Sequence, residues 1–436
     1  MNPMLEVYVL WHPAERNALA IAEDMAAHFH GGVYASLLAG SMEVYTRSVG
    51  WKDSEDAPRS ILWPGAPAAE DGLQAARFVA IVPIVGLEMN RAVNNLDDPW
   101  HAYFEQIVAA QQRDPAHVQL FPLRQGSSFG GRLAELLAQS HNQLIAEPDP
   151  QARLREPERE LRCRDLAQGL AQWISPPGAA RQLKVFISHT KRQGTSDEPV
   201  ASLVEAVRSV LGSGRIGSFY DAHELQPGED WDRALRTQAA SSALLAVRTD
   251  LYATREWCQR EMLTAKEHGM PIVVLDALSA GEARGSFLMD HAPRIPMRCD
   301  PQGGWNVDAI RRAVNLLADA WLQRVLWLQM RVHCEGHASL GRYWWAPQAP
   351  EPSTLMRWLS PPTGVVSVAG GIAAEVPDAS APPRMAAQSA GSDLRILHPD
   401  PPLADDECDV LQRMVTMAGY GQLDLTTPRL LAARGA

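Results

Sequence analysis

The chain has 436 residues, 46% hydrophobic and 21% charged, with 40 basic against 51 acidic side chains and a formal charge of −11. That length accommodates two or three domains, each with its own core, and the composition of a soluble globular protein excludes wholesale disorder. The negative balance speaks against general nucleic-acid or acidic-membrane binding, and even the most apolar long stretch, Ala320–Val332, is broken by Gln323, Arg324, Gln329 and Arg331, well short of the ~20 apolar residues of a bilayer span.

In chain order, Leu5–Trp11 is an apolar β run. A helical pattern follows over Ala14–Phe29, with Leu19, Ala22, Met25, Ala26 and Phe29 on its apolar face, and Gly31-Gly32 stop it. Further β runs are expected at Glu43–Thr46, Ser60–Trp63, Phe78–Val85 and Val118–Pro122, with a helix over Trp100–Gln111. The continuous apolar run FVAIVPIVG fits a strand buried on both faces. Strands alternating with helices imply a doubly wound parallel sheet. Helical stretches at Gly131–Ile145 and Glu156–Ile174 lead to Ser175-Pro-Pro-Gly-Ala-Ala, which reads as a linker.

Beyond that linker the pattern restarts. Strands are expected at Leu183–Ser188, Ile216–Tyr220, Ala243–Val247, Pro271–Asp276 and Arg294–Cys299. Helices are expected at Pro199–Leu211, Asp230–Ala240, Glu256–His268 and Val307–His333. From Ala346 the prolines at 347, 350, 352, 361 and 362, then Ala381–Ser392, suggest extended connections. They separate three strand candidates (Val365–Ala369, Leu394–Leu397 and Leu423–Leu425) and one helix, Asp405–Ala418. Three regions result: 1–175, 181–335, and a C-terminal α+β extension over 346–436 that could dock on another domain.

The opening MNPMLEVYVLWHP has neither a basic leader nor a cleavage pattern, so a cytoplasmic location is expected. Five widely spaced cysteines without a CxxC pair suit a reducing compartment. His333, Cys334 and His337 do not close a zinc site, so no metal is expected. Neither GxGxxG after a strand nor GxxxxGK[ST] occurs, so no tightly held dinucleotide cofactor or ATP is expected.

Three segments carry chemistry: KVFISH (Lys184–His189), FYDAHELQPGEDWDRAL (Phe219–Leu235) and TREWCQREMLTA (Thr254–Ala265). In the last, Trp257 and Glu261 stand four apart, on one face of a helix. Breaking a glycosidic bond builds positive charge on the sugar, and a carboxylate beside that ring stabilises it. Where the leaving group is cationic and departs neutral, no general acid is required. An indole one turn away would help to exclude water. By spacing alone, Trp in the core and Glu in solvent is the commoner arrangement, and Cys258 reads as a core residue rather than a nucleophile.

In order and spacing these segments resemble the Toll/interleukin-1 receptor (TIR) family over about Lys184–Leu322, with W-C-x-x-E as in its NAD⁺-hydrolysing members. The resemblance implies a flavodoxin-like fold for the second region. The first is similar but divergent, since Glu105 falls five after Trp100 and so off the catalytic spacing. The expected architecture is therefore two flavodoxin-like, doubly wound domains in tandem plus the extension, with the first domain non-catalytic.

The resemblance also implies Glu261 as the catalytic residue and Trp257, Ser188, His189, Thr190 and Asp221 as substrate contacts. His189 departs from the family's frequent tyrosine. The loop of Glu224, Leu225, Pro227 and Gly228 is implied in assembly. The expected activity is an NAD⁺ glycohydrolase, with NAD⁺ as substrate rather than cofactor and with self-association through TIR domains. An activating protein or nucleotide signal and a role in bacterial anti-phage defence are further implications. The alternative is a non-enzymatic TIR scaffold acting by homotypic assembly.

Overall fold

A computed structural model of the protein describes residues 3–31, 34, 41–50, 58–67, 74–125, 130–138, 158–190, 198–213, 216, 218–221, 231–282, 285–299, 304–334, 340–359, 385 and 391–434. These fall into two compact units: Met1–Arg181 with Val325–Val332, and Gln182–Arg324 with His333–Ala436. No helix among the described residues is long and apolar enough to cross a membrane.

In the first unit β1 (Leu5–Trp11) lies between β2 (Met42–Arg47) and β3 (Phe78–Val85), and β4 (Val118–Leu120) and β5 (Leu123–Arg124) both pair with β3; every pairing is parallel. β1 and β3 are buried along their whole length, which explains their unbroken apolar sequence. Helices α1 (Ala18–His30), α2 (Leu87–Asn94), α3 (Pro99–Arg113), α4 (Gly131–Leu137) and α5 (Glu158–Ile174) complete it. The core gathers Leu10, Val79, Ile81, Met89, Trp100 and Phe104.

Two expectations fail here. The buried stripe of α1 is Ala18, Ile21, Ala22, Met25 and Phe29, which turns Leu19 out to solvent. Ser60–Trp63 forms no strand. Ile61 plugs into the core from an irregular segment, and the neighbouring Arg59 carbonyl accepts a hydrogen bond from the Tyr103 hydroxyl.

In the second unit β6 (Lys184–His189) lies between β7 (Ser218–Asp221) and β8 (Ala243–Arg248); β9 (Ile272–Asp276) and β10 (Arg294–Pro296) extend the parallel sheet. In chain order this is 2-1-3-4-5, the doubly wound order that binds ligands outside the strands' carboxyl ends. The helices are α6 (Glu198–Ser213), α7 (Trp231–Ser241), α8 (Glu256–Glu267) and α9 (Val307–Cys334), the last contributing Val325–Val332 to the first unit.

The C-terminal extension builds a third sheet from β11 (Trp344–Trp345), β12 (Leu394–Leu397) and β13 (Leu423–Thr426). With α11 (Asp405–Met417) crossing between β12 and β13, it is a parallel β–α–β arrangement rather than the expected α+β one. Its core of Leu355, Trp358, Leu394, Ile396, Leu411 and Val415 also recruits α10 (Pro352–Leu359); α12 (Pro428–Ala433) ends the described chain. The strand expected at Val365–Ala369 lies outside the described residues.

α10 packs on α8. The Trp358 indole N–H donates to the Glu267 carbonyl at 3.1 Å. Arg357 pairs with Glu267, and the buried Lys266 ammonium reaches Glu351 at 2.7 Å. α8 ends in a Schellman turn, in which the Gly269 N–H bonds the Lys266 carbonyl and the Met270 N–H bonds the Ala265 carbonyl. Gly269 has φ +59°, and a Cβ there would lie 2.5 Å from the Pro347 carbonyl oxygen, so both handedness and space demand glycine.

Candidate active site

β6 is an interior strand of its sheet, between β7 and β8, and its last residues reach the carboxyl edge carrying polar side chains after Val185, Phe186 and Ile187 have filled the core. Ser188, 1% exposed, pairs in register with Ala246 of β8. After β8 the chain makes a 3-10 turn at Tyr252–Thr254 and enters α8. The buried face of α8 runs Cys258, Met262, Ala265, at helical spacing. Glu261 lies on that same side and is 9% exposed, which brings its carboxylate under the strand end.

There the Ser188 hydroxyl donates to Glu261 Oε2 at 2.6 Å, a length typical of a charge-assisted bond. Ser188 Oγ also lies 2.7 Å from the hydroxyl of the wholly buried Tyr252. Burial first, then the neighbouring Cys258 and the Glu261 charge, push the Tyr252 phenol well above its ordinary range. The phenol therefore keeps its proton and donates to Ser188, whose one proton goes to Glu261. The result is a directed chain, Tyr252 to Ser188 to Glu261, that fixes one carboxylate oxygen. Sequence reasoning missed Tyr252. Its only signal was an aromatic residue between β8 and the Trp/Glu helix.

The remaining residues divide. Thr190 is buried, its Oγ1 3.3 Å from Thr249 Oγ1. His189 is half-buried, with Nδ1 3.1 Å from the Thr190 carbonyl oxygen. The Cys258 thiol donates to the His189 carbonyl at 3.7 Å, tying α8 to the strand end. Burial, and next the Glu261 charge, push that thiol up to about 12, which leaves it protonated and unreactive at neutral pH. Trp257 is 43% exposed, and the Arg260 guanidinium lies 5.0 Å from its ring centre. In the first turn of α8, its side chain leans back past the helix start. Asp221 closes β7, but its side chain, and Glu224, Leu225, Pro227 and Gly228 altogether, lie outside the described residues.

Residues 185–291 match the family model of the TIR domain. The chain carries a TIR domain. The match spans β6 to the segment before β10 and so contains Ser188, Tyr252 and Glu261. No curated protein matches the chain. Among solved structures, tagatose-6-phosphate ketose/aldose isomerase from Escherichia coli is similar at 13% identity over 74% of this chain and 82% of that one, with a TM-score of 0.19. A superposition that poor carries nothing about fold or function.

Proposed function

We propose that the TIR domain is an NAD⁺ glycohydrolase that cleaves the bond between ribose C1′ and the nicotinamide nitrogen. The bond's electron pair leaves with nicotinamide. A water oxygen bonds to C1′ and gives up a proton, yielding ADP-ribose; attack by an internal nucleophile would give a cyclised relative. Glu261 stabilises the positive charge on the ribose, with Ser188 and Tyr252 fixing its orientation. Trp257, His189, Thr190 and Asp221 contribute the walls of the substrate site. The observation that carries this reading is the 2.6 Å bond from Ser188 to Glu261 at the carboxyl edge of a doubly wound sheet. A carboxylate oriented before substrate arrives needs little reorganisation as charge develops.

The domain self-associates, with the loop of Glu224, Leu225, Pro227 and Gly228 in the contact. The first unit is a divergent, non-catalytic TIR-like module that keeps the enzyme off until a protein or nucleotide signal arrives, as suits an effector of anti-phage defence. Support comes from its parallel 2-1-3-4 strand order and from Glu105, whose carboxylate is occupied by Arg132 at 2.9 Å.

The test is a product profile of the purified full chain mixed with NAD⁺ at high protein concentration. Nicotinamide and ADP-ribose, or its cyclic form, should accumulate with the wild type and not with Glu261→Gln. A wild type that assembles but leaves NAD⁺ intact would overturn the enzyme in favour of the scaffold.

A further inference from the structure

The second unit contains a cavity of about 360 Å³ that shares no residue with the Ser188, Tyr252 and Glu261 cluster. It opens where three segments converge: the 3-10 turn Phe287–Met289 with the two residues after it, the approach to α10, and the first turns of α11. Its walls are of two kinds. Phe287 and Val410 are large apolar side chains left 70% and 47% exposed. Asp290, Glu351, Asp406 and Glu407 bring carboxyl groups, while no lysine or arginine is among the described lining residues. The one basic lining group, His291, sits 3.6 Å from Glu407.

One lysine connects two of these segments to α8. The Lys266 ammonium donates to the Asp290 carbonyl at 2.7 Å and to the two Glu351 oxygens at 2.9 and 2.7 Å. Lys266 is buried five residues beyond Glu261 on the same helix. A ligand that draws on Glu351 or shifts Asp290 therefore disturbs the carboxylate and the carbonyl that hold the Lys266 ammonium, and α8 must respond.

We propose that this cavity binds a small organic cation with an apolar body, an aryl- or alkylammonium, and that its occupancy is transmitted through Lys266 to α8. The apolar body covers Phe287 and Val410, whose exposure beside carboxylates is otherwise unexplained. The ammonium meets Asp406 and Glu407 at the rim, Asp290 and Glu351 being paired with Arg294 and Lys266, and can lie over the Phe287 ring. A single half-exposed ion pair is worth too little to hold a ligand, so several carboxylates and apolar burial must act together. Binding stands on the cavity alone. Its consequence for catalysis rests on the NAD⁺ cleavage reading, so the two are measured separately.

The full chain is titrated calorimetrically with tryptamine, and with tryptophol, which carries a hydroxyl in place of the ammonium. Tryptamine should bind saturably and tryptophol at least about tenfold more weakly, the worth of one charge-assisted hydrogen bond. Val410→Arg, at an exposed position, sets a cation at the rim and should abolish tryptamine binding without lowering the melting temperature. Equal binding of the two probes, no saturable binding of either, or binding that survives Val410→Arg overturns the site. Transmission is read as a change in amide exchange over residues 256–267 when tryptamine binds. Binding with no change there overturns the coupling, whether or not the chain cleaves NAD⁺, and an inactive chain that still binds tryptamine counts only against the glycohydrolase.

Discussion

Counted back from the carboxyl end, Leu10 of β1 stands where Ser188 stands in β6, and Trp11 where His189 stands; Trp11 pairs with Ile84 of β3 as His189 pairs with Val247 of β8. The first sheet thus ends its opening strand in apolar side chains that belong to the core, and the second ends its opening strand in a hydroxyl and an imidazole. The carboxylates differ in the same way. In the first unit Glu15, just past β1, accepts hydrogen bonds from the Glu88 and Met89 amides at 2.9 and 3.3 Å and is used up capping α2. In the second, Glu261 is oriented by a hydroxyl chain from the strand end. Similar strand orders therefore support a packed edge in one case and a chemically equipped one in the other, and the difference lies in a few residues at the strand ends.

The largest effect separates the two units by activity. Glu261→Gln should lower the rate of NAD⁺ cleavage by roughly a thousandfold, the scale of losing a principal electrostatic stabiliser. Glu105→Gln, which removes a part-exposed carboxylate beside Arg132 and His101, should leave it unchanged in the same assay. Comparable losses from both would break the division into a catalytic and a non-catalytic unit.

Next come stability effects. Glu351→Ala strands the Lys266 ammonium in a buried place, and removing one partner of a buried pair costs about 3–5 kcal/mol. Denaturant unfolding should register that loss, whereas Glu351→Gln, which keeps an acceptor, should lose less. Leu10→Ser would give the first sheet the residue type of the second. Without a Tyr252 or Glu261 to receive it, the hydroxyl should cost about 3 kcal/mol through lost apolar burial and an unmatched polar group. A neutral outcome would mean that the first edge is already polar enough to accept it.

Ser188→Ala should lower kcat about tenfold while moving KM little, because it frees the orientation of Glu261 without removing its charge. Tyr252→Phe, one bond further from the carboxylate, should have the smaller effect in the same direction. A Tyr252→Phe loss that exceeded that of Ser188→Ala would show that the phenol acts on the carboxylate by another route.

Most strands of the two larger sheets were legible, best where burial on both faces needs an unbroken apolar run, as in Phe78–Val85 and Ala243–Arg248, whereas the two-residue β5 was not. The resemblance to the TIR family singled out Glu261 and Ser188, which the structure brings within 2.6 Å of each other. What stayed hidden depended on contacts between distant segments. α10 lay in a proline-rich stretch that reads as extended, yet Pro352 is its first residue, where a missing N–H costs nothing, and Leu355, Trp358 and Leu359 follow at helical spacing. An eight-residue helix of this kind is held by its packing rather than its propensity, here by Trp358 against α8. Ser60–Trp63 shows the converse: a locally strand-like segment supplied Ile61 to the core and no partner for its backbone ladder. Tyr252 was invisible because burial, not residue type, makes it a donor.

The smallest effect concerns thiols and is read by labelling rather than by activity. Cys258 is buried in the second unit beside Glu261, with its thiol pushed up to about 12, and Cys163 is buried in the first, whereas Cys299 is exposed. Alkylation by iodoacetamide at neutral pH should therefore label Cys299 quickly and Cys258 only when the chain unfolds, since the thiolate is the reacting form. Glu261→Gln removes the nearest negative charge while leaving the burial in place, so it should draw the Cys258 thiol down only partway. Peptide mapping across a rising pH series would detect labelling of Cys258 beginning at lower pH in that variant than in the wild type. Because burial is the larger cause and the carboxylate the second, a variant in which Cys258 reacted as readily as Cys299 would mean that the helix had swung away from the strand end, and that Glu261 is held there by charge rather than by packing.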